Sequence, residues 1–342
     1  MKNHPFRVVA SNVDHAEVPY ALTIAVPTFK RPALLEQTLR SIAALEFVVA
    51  VEVIVVDNDP EGDDAQAAQL MSSLITVPYC YYRNTDNVGM FGNWNQCLFQ
   101  ARGTYLTILH DDDLLCPEFA TAVNKLLRDN QLAHDILGFE IALLEQRPDR
   151  IKELAAASLA AVPQCGVSDS KTMSMRLFSA TDLFFANPFC GTLAVIFDRE
   201  KAIALGGFLA DWAPIADYEF WCRWAACYGD IPIANWRVAR YRIGQNESMK
   251  LETRTAFVTK SRELRNHLVE RRAVPAVFGK LIGMVGLTQR NQIYRDWRTA
   301  TEPHQSVLTK VAMSGCGKAL RIASKATKVL GLASRRARTE PR

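Results

Sequence analysis

Residues 103–117 have the sequence GTYLTILHDDDLLCP, in which an apolar run is followed by three acids and a proline. The run at residues 105–109 predicts a strand, and Pro117 is well placed to begin a helix. Between them, three adjacent carboxylates at residues 111–113 repel one another. Their clustering suits a divalent cation, because carboxylate oxygens are preferred ligands of Mg²⁺ and Mn²⁺. A solvated acidic turn after a strand is the alternative.

Strand and helix signals alternate on both sides of this stretch. Residues 21–26 and 51–56 predict buried strands, and residues 35, 39 and 42 have helical spacing between them. Further strands are predicted at residues 80–83, 190–197 and 231–239, and helices at residues 91–101, 117–130 and 217–228. This alternation predicts an α/β fold with a mainly parallel sheet covered on both faces. Ligands of such sheets bind beyond the carboxyl ends of the strands, where Asp57 and the acidic run both fall.

Composition is that of an ordinary globular protein, with 342 residues, 49% of them hydrophobic and 22% charged. The eight cysteines form no Cys-x-x-Cys pair, so we expect reduced thiols in a cytosolic setting rather than disulfides or structural zinc. The N-terminal segment has no apolar signal region. No run reaches about 18 uninterrupted apolar residues, so no membrane span is expected.

Positive charge is concentrated in residues 306–342, which contain nine lysines and arginines and one acid. The rest of the chain has 31 basic and 35 acidic residues. Between residues 318 and 333, basic and small apolar side chains each recur at steps of three and four. This pattern predicts an amphipathic helix that binds an anionic membrane surface weakly and in a salt-sensitive way. A polar face docked on the body is the alternative, and no nucleic-acid partner is expected.

Four segments, in order, resemble the family 2 inverting glycosyltransferases, which have the GT-A fold. They are TIAVPTFKRP at residues 23–32, VEVIVVDND at residues 51–59, residues 84–117, and GGFLADWAPIADYEFWCRWA at residues 206–225. The resemblance implies a nucleotide-diphospho-sugar transferase fold, in which helices flank a mainly parallel central sheet and a helical C-terminal extension follows.

The resemblance also implies a division of the chain. A lead-in at residues 1–20 precedes a glycosyltransferase domain at residues 21–248, and a helical extension and the basic tail follow, divided at residue 305. Within the domain, residues 21–116 would form the nucleotide-binding half and residues 117–248 the acceptor-side half.

Several site residues follow from the matching motifs. Asp112 matches the principal metal ligand and Asp113 a supporting acid, so Mn²⁺ or Mg²⁺ is the expected cofactor. Asp57 matches the acid that contacts the base or ribose of the donor, and Asp111 is expected near the ribose. The other donor-binding candidates are Pro27, Thr28, Arg31, Asn87, Gly89 and Asn93. Arg31 would pair with the diphosphate, or else be a solvated cation at a helix start, and the asparagines and glycine could be ordinary turn residues.

Asp217 matches the catalytic base, which takes the proton of the acceptor hydroxyl on the face opposite the leaving group. A helix N-cap is the alternative role, since Asp is favoured there. Glu219 is the second candidate for the base, and Trp212 is a candidate for contact with the acceptor.

Three positions depart from the family pattern. His110 stands in place of the first acid of the metal motif, and Ala216 in place of the acid that precedes the base. Gly244 stands where a metal-contacting histidine often occurs, so we expect weaker metal affinity, with Asn246 or water substituting.

The resemblance implies a metal-dependent, inverting transfer of a hexosyl or deoxyhexosyl group from a UDP- or dTDP-type sugar. The acceptor would be a hydroxyl of a glycan or lipid-linked molecule in bacterial surface polysaccharide synthesis. The processive members' Gln-x-x-Arg-Trp motif is absent, which favours single addition by an enzyme in the cytoplasm, peripheral on the inner face of the membrane. The alternatives are a non-catalytic sugar-nucleotide or glycan-binding module and a hydrolase of glycosides or sugar nucleotides with paired carboxylates.

Overall fold

The computed structural model describes residues 2–13, 19–128, 132, 134–148, 151, 173–244 and 250–296, the last six by backbone alone. The strands are β1 Phe6–Ser11, β2 Tyr20–Thr28, β3 Val51–Asp57, β4 Tyr79–Asn84, β5 Gly103–Ile108, β6 Leu114–Leu115, β7 Ile136–Glu145, β8 Met175–Phe178, β9 Val195–Asp198 and β10 Ile231–Ile243. The α-helices are α1 Pro32–Ala43, α2 Asp64–Leu74, α3 Gly89–Gln100, α4 Pro117–Leu127, α5 Ala180–Phe185, α6 Arg199–Ala204, α7 Ala216–Tyr228, α8 Leu251–Glu270 and α9 Ile282–Asp296.

These strands form one sheet in the order β1-β4-β3-β2-β5-β9-β7-β10-β6, with β8 also paired to β10. The four strands β4, β3, β2 and β5 are parallel, whereas β9 lies antiparallel between β5 and β7. The predicted α/β fold with a mainly parallel sheet and flanking helices is therefore confirmed.

The central strands of the sheet are formed by the apolar runs of the sequence. β2 and β3 are buried along their whole length, as expected for parallel strands covered on both faces. Sequence analysis ended the first strand at Pro27, but β2 continues to Thr28, and Pro27 pairs in register with Val56. The carboxyl ends of β2 and β3 therefore lie side by side.

Four strands were missed, and one was predicted too long. β1, in the expected lead-in, lies at an edge and leaves Phe6 and Val8 exposed, so it lacks a buried apolar run. The two-residue strand β6 and the strands β7 and β8 were not predicted either. The strand expected at residues 190–197 begins only at Val195, because Gly191 and Ala194 adopt positive φ angles in a preceding turn.

The chain forms two compact units. Unit 1 contains the described residues up to Arg176, Phe189–Ala210 and Pro232–Gly244, and so nearly all of the sheet. Unit 2 contains Leu177–Pro188, Asp211–Ile231 and the described residues from 250 onward. Its core includes the tilted ring pair of Phe184 and Phe278 and the buried Arg265, which donates to the Phe184 carbonyl over 2.8 Å.

Cysteine chemistry differs from the expectation at one position. Cys116, immediately before α4, is disulfide-bonded, so the prediction that all thiols are reduced is wrong there. The free cysteines among the described residues are Cys80, Cys97, Cys190, Cys222 and Cys227. Within the described ranges, no helix combines the length and apolar character required to cross a membrane.

Candidate functional site

The acidic run lies in the turn between β5 and β6, at the carboxyl end of a central parallel strand. Asp111, Asp112 and Asp113 are 6%, 8% and 0% exposed. A solvated acidic turn would leave these side chains in water, so that alternative is wrong. Burying three carboxylates is costly unless positive charge or donors face them.

The two carboxylate oxygens of Asp113 have different surroundings. Its Oδ1 accepts from the backbone N–H of Arg242 over 2.9 Å, whereas the buried Oδ2 has no hydrogen-bond partner among the described residues. The nearest cationic candidate is His110, whose Nδ1 lies 3.4 Å from Oδ2. Burial raises the pKa of Asp113 above the ordinary carboxyl value, although the charge of His110 opposes this rise.

His110 is held by three neighbours. Its ring stacks on Trp94 with centroids 4.9 Å apart, and its Nε2 lies 3.1 Å from Thr192 Oγ1. Gly191 has a φ of +63°, and a Cβ there would lie 2.7 Å from the imidazole Cε1, so a glycine fits against the ring. Burial lowers the pKa of His110, but its interactions with Asp113 and the two other acids outweigh burial and raise it above the usual value.

The same residues fit a divalent cation. His110, Asp112 and Asp113 each offer one ligand atom, and these atoms lie within 4.8 Å of one another. The buried Oδ2 of Asp113, which has no hydrogen-bond donor among the described residues, would donate a lone pair to such a cation. Carboxylate and imidazole donors are acceptable to Mn²⁺, whereas Mg²⁺ prefers oxygen donors alone. Asn246, the expected substitute ligand, lies outside the described residues.

Asp111 is bound from β2 and from the start of α1. Thr28 donates its hydroxyl to Asp111 Oδ2 over 2.8 Å. Arg31 Nη1 lies 3.5 Å from Asp111 Oδ1 and 3.2 Å from Asp112 Oδ2, so this guanidinium pairs with two acids of the run. It is therefore not a solvated helix-start cation. Burial raises the pKa of Asp111, and the Thr28 hydrogen bond opposes this effect.

Two further residues support the backbone of the acidic run. The Thr38 hydroxyl on α1 lies 3.0 Å from the Asp111 carbonyl oxygen and 2.8 Å from that of Asp113. Arg242 on β10 donates its Nε to the Asp112 carbonyl over 2.6 Å and so braces the run from another strand. Sequence reasoning missed Thr38, whose only signal was a polar residue within the apolar face of a predicted helix.

Asp57, the last residue of β3, is surrounded by donors. Its Oδ2 accepts from the Tyr81 hydroxyl over 2.9 Å and from Arg83 Nε and Nη2 over 3.1 and 2.9 Å. Its Oδ1 accepts from the backbone N–H of Asp59 over 2.9 Å. Sequence analysis missed Tyr81 and Arg83, because alternation in a predicted short strand does not mark either residue as a partner of Asp57.

Buried amides join the ends of β3 and β4 to α3. Asn58 donates to Asn87 Oδ1 over 2.7 Å, and Asn84 donates to Asn58 and Asn93 over 3.0 and 2.9 Å. Gly89 begins α3 with a φ of +74°, which an L side chain rarely adopts. Asn87 and Asn93 therefore shape this edge through Asn58, Asn84 and the backbone, and their role towards a nucleotide remains a prediction.

Thr28 lies between Asp57 and the acidic run, and contacts both of them. It pairs in register with Asp57 across β2 and β3 and donates to Asp111 beyond β5. The structure thus brings Pro27, Thr28, Arg31, Asp57 and Asp111–Asp113 to one edge of the sheet, as the strand-end argument predicted.

The acceptor-side candidates lie in unit 2. Asp217 is buried in the first turn of α7, but the N-cap of this helix is Ile215, so a pure N-cap role for Asp217 is wrong. Glu219 forms a buried ion pair with Arg223 over 2.7 Å. The ring of Trp212 is half-buried, and its centroid lies 5.5 Å from that of His267.

Comparisons with known proteins agree with these features. The sequence model described as glycosyl transferase family 2 matches residues 23–177. TarS 1-349 from S. aureus has a TM-score of 0.53 at 14% identity, covering 81% of this chain and 89% of that one. The mannosyltransferase PcManGT from Pyrobaculum calidifontis, solved with GDP-Man and Mn²⁺, has a TM-score of 0.53 at 17% identity, covering 89% and 81%.

Two curated relatives are similar over part of their length. A GalNAc(5)-diNAcBac-PP-undecaprenol beta-1,3-glucosyltransferase of Campylobacter jejuni is 33% identical over 140 residues, or 40% of this chain and 43% of the relative. The uncharacterized protein MT1568 of Mycobacterium tuberculosis is 27% identical over 207 residues, or 59% and 61%. The matched parts therefore span less than two thirds of either relative.

The topology and the solved structures together define the class as the GT-A fold of glycosyltransferases. The glycosyl transferase family 2 model matches residues 23–177, somewhat under half of the chain, and the fold agrees with that match.

Proposed function

We propose that this protein transfers a hexosyl or deoxyhexosyl group from a nucleotide-diphosphate sugar to a hydroxyl of a glycan or lipid-linked acceptor, with inversion and with a divalent cation. One observation carries the proposal. A cluster of the partly buried His110 with the buried Asp112 and Asp113 lies at the carboxyl edge of the parallel sheet, within the segment that matches the family 2 model, and one of its carboxylate oxygens has no hydrogen-bond donor among the described residues.

The donor would bind at the edge of unit 1. Asp112 and Asp113 would hold Mn²⁺ or Mg²⁺, which acts as a Lewis acid on the diphosphate when bound. Arg31 already lies against two of the acids, so its guanidinium could also neutralise a phosphate at the same place. Asp57, Asp111, Pro27 and Thr28 would bind the nucleoside, on a floor shaped by the network of Asn87, Gly89 and Asn93.

The printed names of similar proteins support these classes of donor and acceptor. A TarS 1-349 structure contains UDP-GlcNAc, and the mannosyltransferase structure contains GDP-Man. The Campylobacter relative is named for an undecaprenol-linked acceptor. A lipid-linked acceptor in bacterial surface glycan synthesis therefore suits this chain, as does peripheral attachment to the inner membrane face through the basic tail. That tail lies outside the described residues, and its membrane binding remains a prediction.

Asp217 is the proposed base. It would accept the proton of the attacking acceptor hydroxyl, so that the oxygen can bond to the anomeric carbon as the nucleoside diphosphate leaves from the opposite face. Its position in the first turn of α7 favours the ionised carboxylate through the helix dipole. Glu219 is the weaker candidate, because Arg223 occupies both of its oxygens. Trp212 is proposed to contact the acceptor.

The Asp217→Asn variant tests this assignment, with Glu219→Gln as the matched control. Transfer is measured as glycosylated product from a panel of sugar nucleotides and undecaprenyl-diphosphate-linked acceptors, and donor binding as a thermal shift with Mn²⁺. We expect Asp217→Asn to lower the transfer rate by about 10²-fold or more, the usual contribution of a general base, while the donor-induced shift persists.

Other outcomes have distinct meanings. Equal activity of Asp217→Asn and the wild type would remove Asp217 from the mechanism. Nucleotide release that no acceptor accelerates would indicate the hydrolase alternative, and donor binding without any turnover would indicate a binding module.

A further inference from the structure

The hydroxyl of Thr192 determines which ring nitrogen of His110 carries a proton. This hydroxyl has a single proton and donates it to the Ile108 carbonyl over 3.1 Å. Its oxygen also lies 3.1 Å from Nε2 of His110, where it can therefore only accept a hydrogen bond. The neutral imidazole consequently has its proton on Nε2 and a lone pair on Nδ1.

The lone pair on Nδ1 lies close to a second acceptor. Nδ1 is 3.4 Å from Oδ2 of the fully buried Asp113, and this oxygen accepts no hydrogen bond from the described residues, His110 included. Two buried acceptors that face each other are unfavourable unless a positive charge lies beside both. Asp112 offers a third ligand atom to the same place, and the three ligand atoms lie within 4.8 Å of one another.

Aromatic packing holds the imidazole in this orientation. Its ring stacks on Trp94 with an angle of 19° between the planes. Phe208 packs edge-on against the other ring contacts of Trp94, with centroids 5.3 Å apart, and its backbone exchanges two hydrogen bonds of 2.8 Å with the Asn95 side chain. A carboxylate at position 110 has no ring to stack on Trp94, so this packing is specific to the histidine.

We propose that Nδ1 of His110 is a ligand of the cation and makes the site select transition-metal ions such as Mn²⁺ over Mg²⁺, with Thr192 and Trp94 as positioning residues. This inference rests on the proposed function, because it takes the acidic run as the cation site. The family pattern has an acid at position 110, so a nitrogen ligand here replaces an oxygen ligand. Mg²⁺ keeps to oxygen ligands, whereas divalent transition metals also bind imidazole.

Electron paramagnetic resonance of Mn²⁺ bound to the wild type, alone and with UDP or GDP, tests the proposal without any turnover. A coordinated imidazole adds a nitrogen hyperfine coupling to the spin-echo modulation of Mn²⁺. Competition by Mg²⁺, followed through the signal of free Mn²⁺, gives the ratio of the two affinities. We expect the nitrogen coupling in the wild type and its loss in His110→Asp, with an Mn²⁺-to-Mg²⁺ affinity ratio that falls by about tenfold or more.

Two variants of Thr192 test its positioning role. Thr192→Val removes the acceptor of Nε2–H, so it should weaken Mn²⁺ binding by about tenfold, as expected when the support of a metal ligand is lost. Thr192→Ser keeps the hydroxyl and should bind Mn²⁺ like the wild type. Equal Mn²⁺ affinity of the valine and serine variants would remove Thr192 from the proposal. His110→Asp decides alone if the valine variant does not fold.

His134→Asp is the matched control, because His134 is exposed and lies outside the cluster of three possible ligands. It should keep both the nitrogen coupling and the affinity ratio. Bound Mn²⁺ without nitrogen coupling, or an unchanged ratio in His110→Asp, would overturn the inference and leave the proposed function standing, with His110 only a proton-sharing partner of Asp113. If the wild type binds neither cation under any of these conditions, both fail.

Discussion

Each carboxylate of the acidic run has a different environment, although the three are adjacent in sequence. Asp111 accepts a threonine hydroxyl, Asp112 faces Arg31, and Asp113 faces His110 with an oxygen that accepts no hydrogen bond from the described part of the chain. The cost of burying three like charges is thus partly offset by separate donors, and it falls most heavily on Asp113.

Asp113→Asn should stabilise the metal-free protein at neutral pH. The folded-state pKa values of Asp113 and His110 are both raised, so the folded protein binds more protons than the unfolded chain. Wild-type stability should therefore fall as pH rises from the ordinary carboxyl value of 3.8 through the raised values. Chemical denaturation with EDTA between pH 4 and 8 should show a smaller decline in the variant.

The matched control is Asp135→Asn, which removes an acid that pairs with Lys201 and is half exposed. This variant should decline with pH like the wild type. A steeper decline in Asp113→Asn than in the wild type would contradict the unfavourable burial of the Asp113 charge.

The position of the acids at the end of a strand could be predicted from the sequence, but the residues that contact them could not. A strand followed by three carboxylates was enough to indicate a cation site. The stacking of His110 on Trp94 and its contact with Thr192 join residues 16 and 82 positions away, and no local pattern encodes such contacts. Arg83 was missed for the same reason, since its bond to Asp57 crosses two strands.

Helix α1 and strand β10 hold the acidic run from two directions. Thr38 on α1 contacts two of its carbonyl oxygens, and Arg242 on β10 contacts a third carbonyl and, through its own N–H, Asp113. A turn that carries repelling charges is thereby fixed through its backbone, which leaves the carboxylates free to face a ligand.

Thr38→Val should destabilise unit 1 and weaken cation binding. The substitution keeps the shape of the side chain but leaves two buried carbonyls without their hydroxyl donor, which costs about 1–3 kcal/mol. Urea denaturation measures the loss, and Mn²⁺ titration followed by electron paramagnetic resonance measures the cation affinity. Thr38→Ser retains the hydroxyl and should behave like the wild type. Equal stability of the valine and serine variants would show that the hydroxyl does not support the turn.

The strands that were predicted most accurately are those buried on both faces of the sheet. β2, β3 and β5 were predicted to within a few residues, because strands covered on both faces are continuous apolar runs. β1 was missed because an exposed edge strand has no such run, and β7 because its sequence ILGFEIALLE has no period-two alternation. The turn before β9 depends on positive φ angles at Gly191 and Ala194. A positive φ at an alanine cannot be predicted from the sequence.

The chain as a whole divides the proposed chemistry between its two units. The cation and donor candidates lie in unit 1, and Asp217, Glu219 and Trp212 lie in unit 2. The family and the fold could be predicted because four motifs occur in the expected order. The sugar and acceptor could not be predicted, because they depend on side chains that no motif specifies.

Calorimetric titration of UDP and GDP with Mn²⁺ or with EDTA, in the wild type and in Asp112→Ala, tests the central claim that the acidic run holds a cation for the donor's diphosphate. We predict that EDTA weakens wild-type binding by about tenfold or more, as expected when a charge-assisted contact is lost. Binding to Asp112→Ala should be weak and the same with or without Mn²⁺, whereas Asp135→Ala should behave like the wild type. Wild-type titrations that are identical in Mn²⁺ and EDTA, or a Mn²⁺ effect that survives in Asp112→Ala, would contradict the claim.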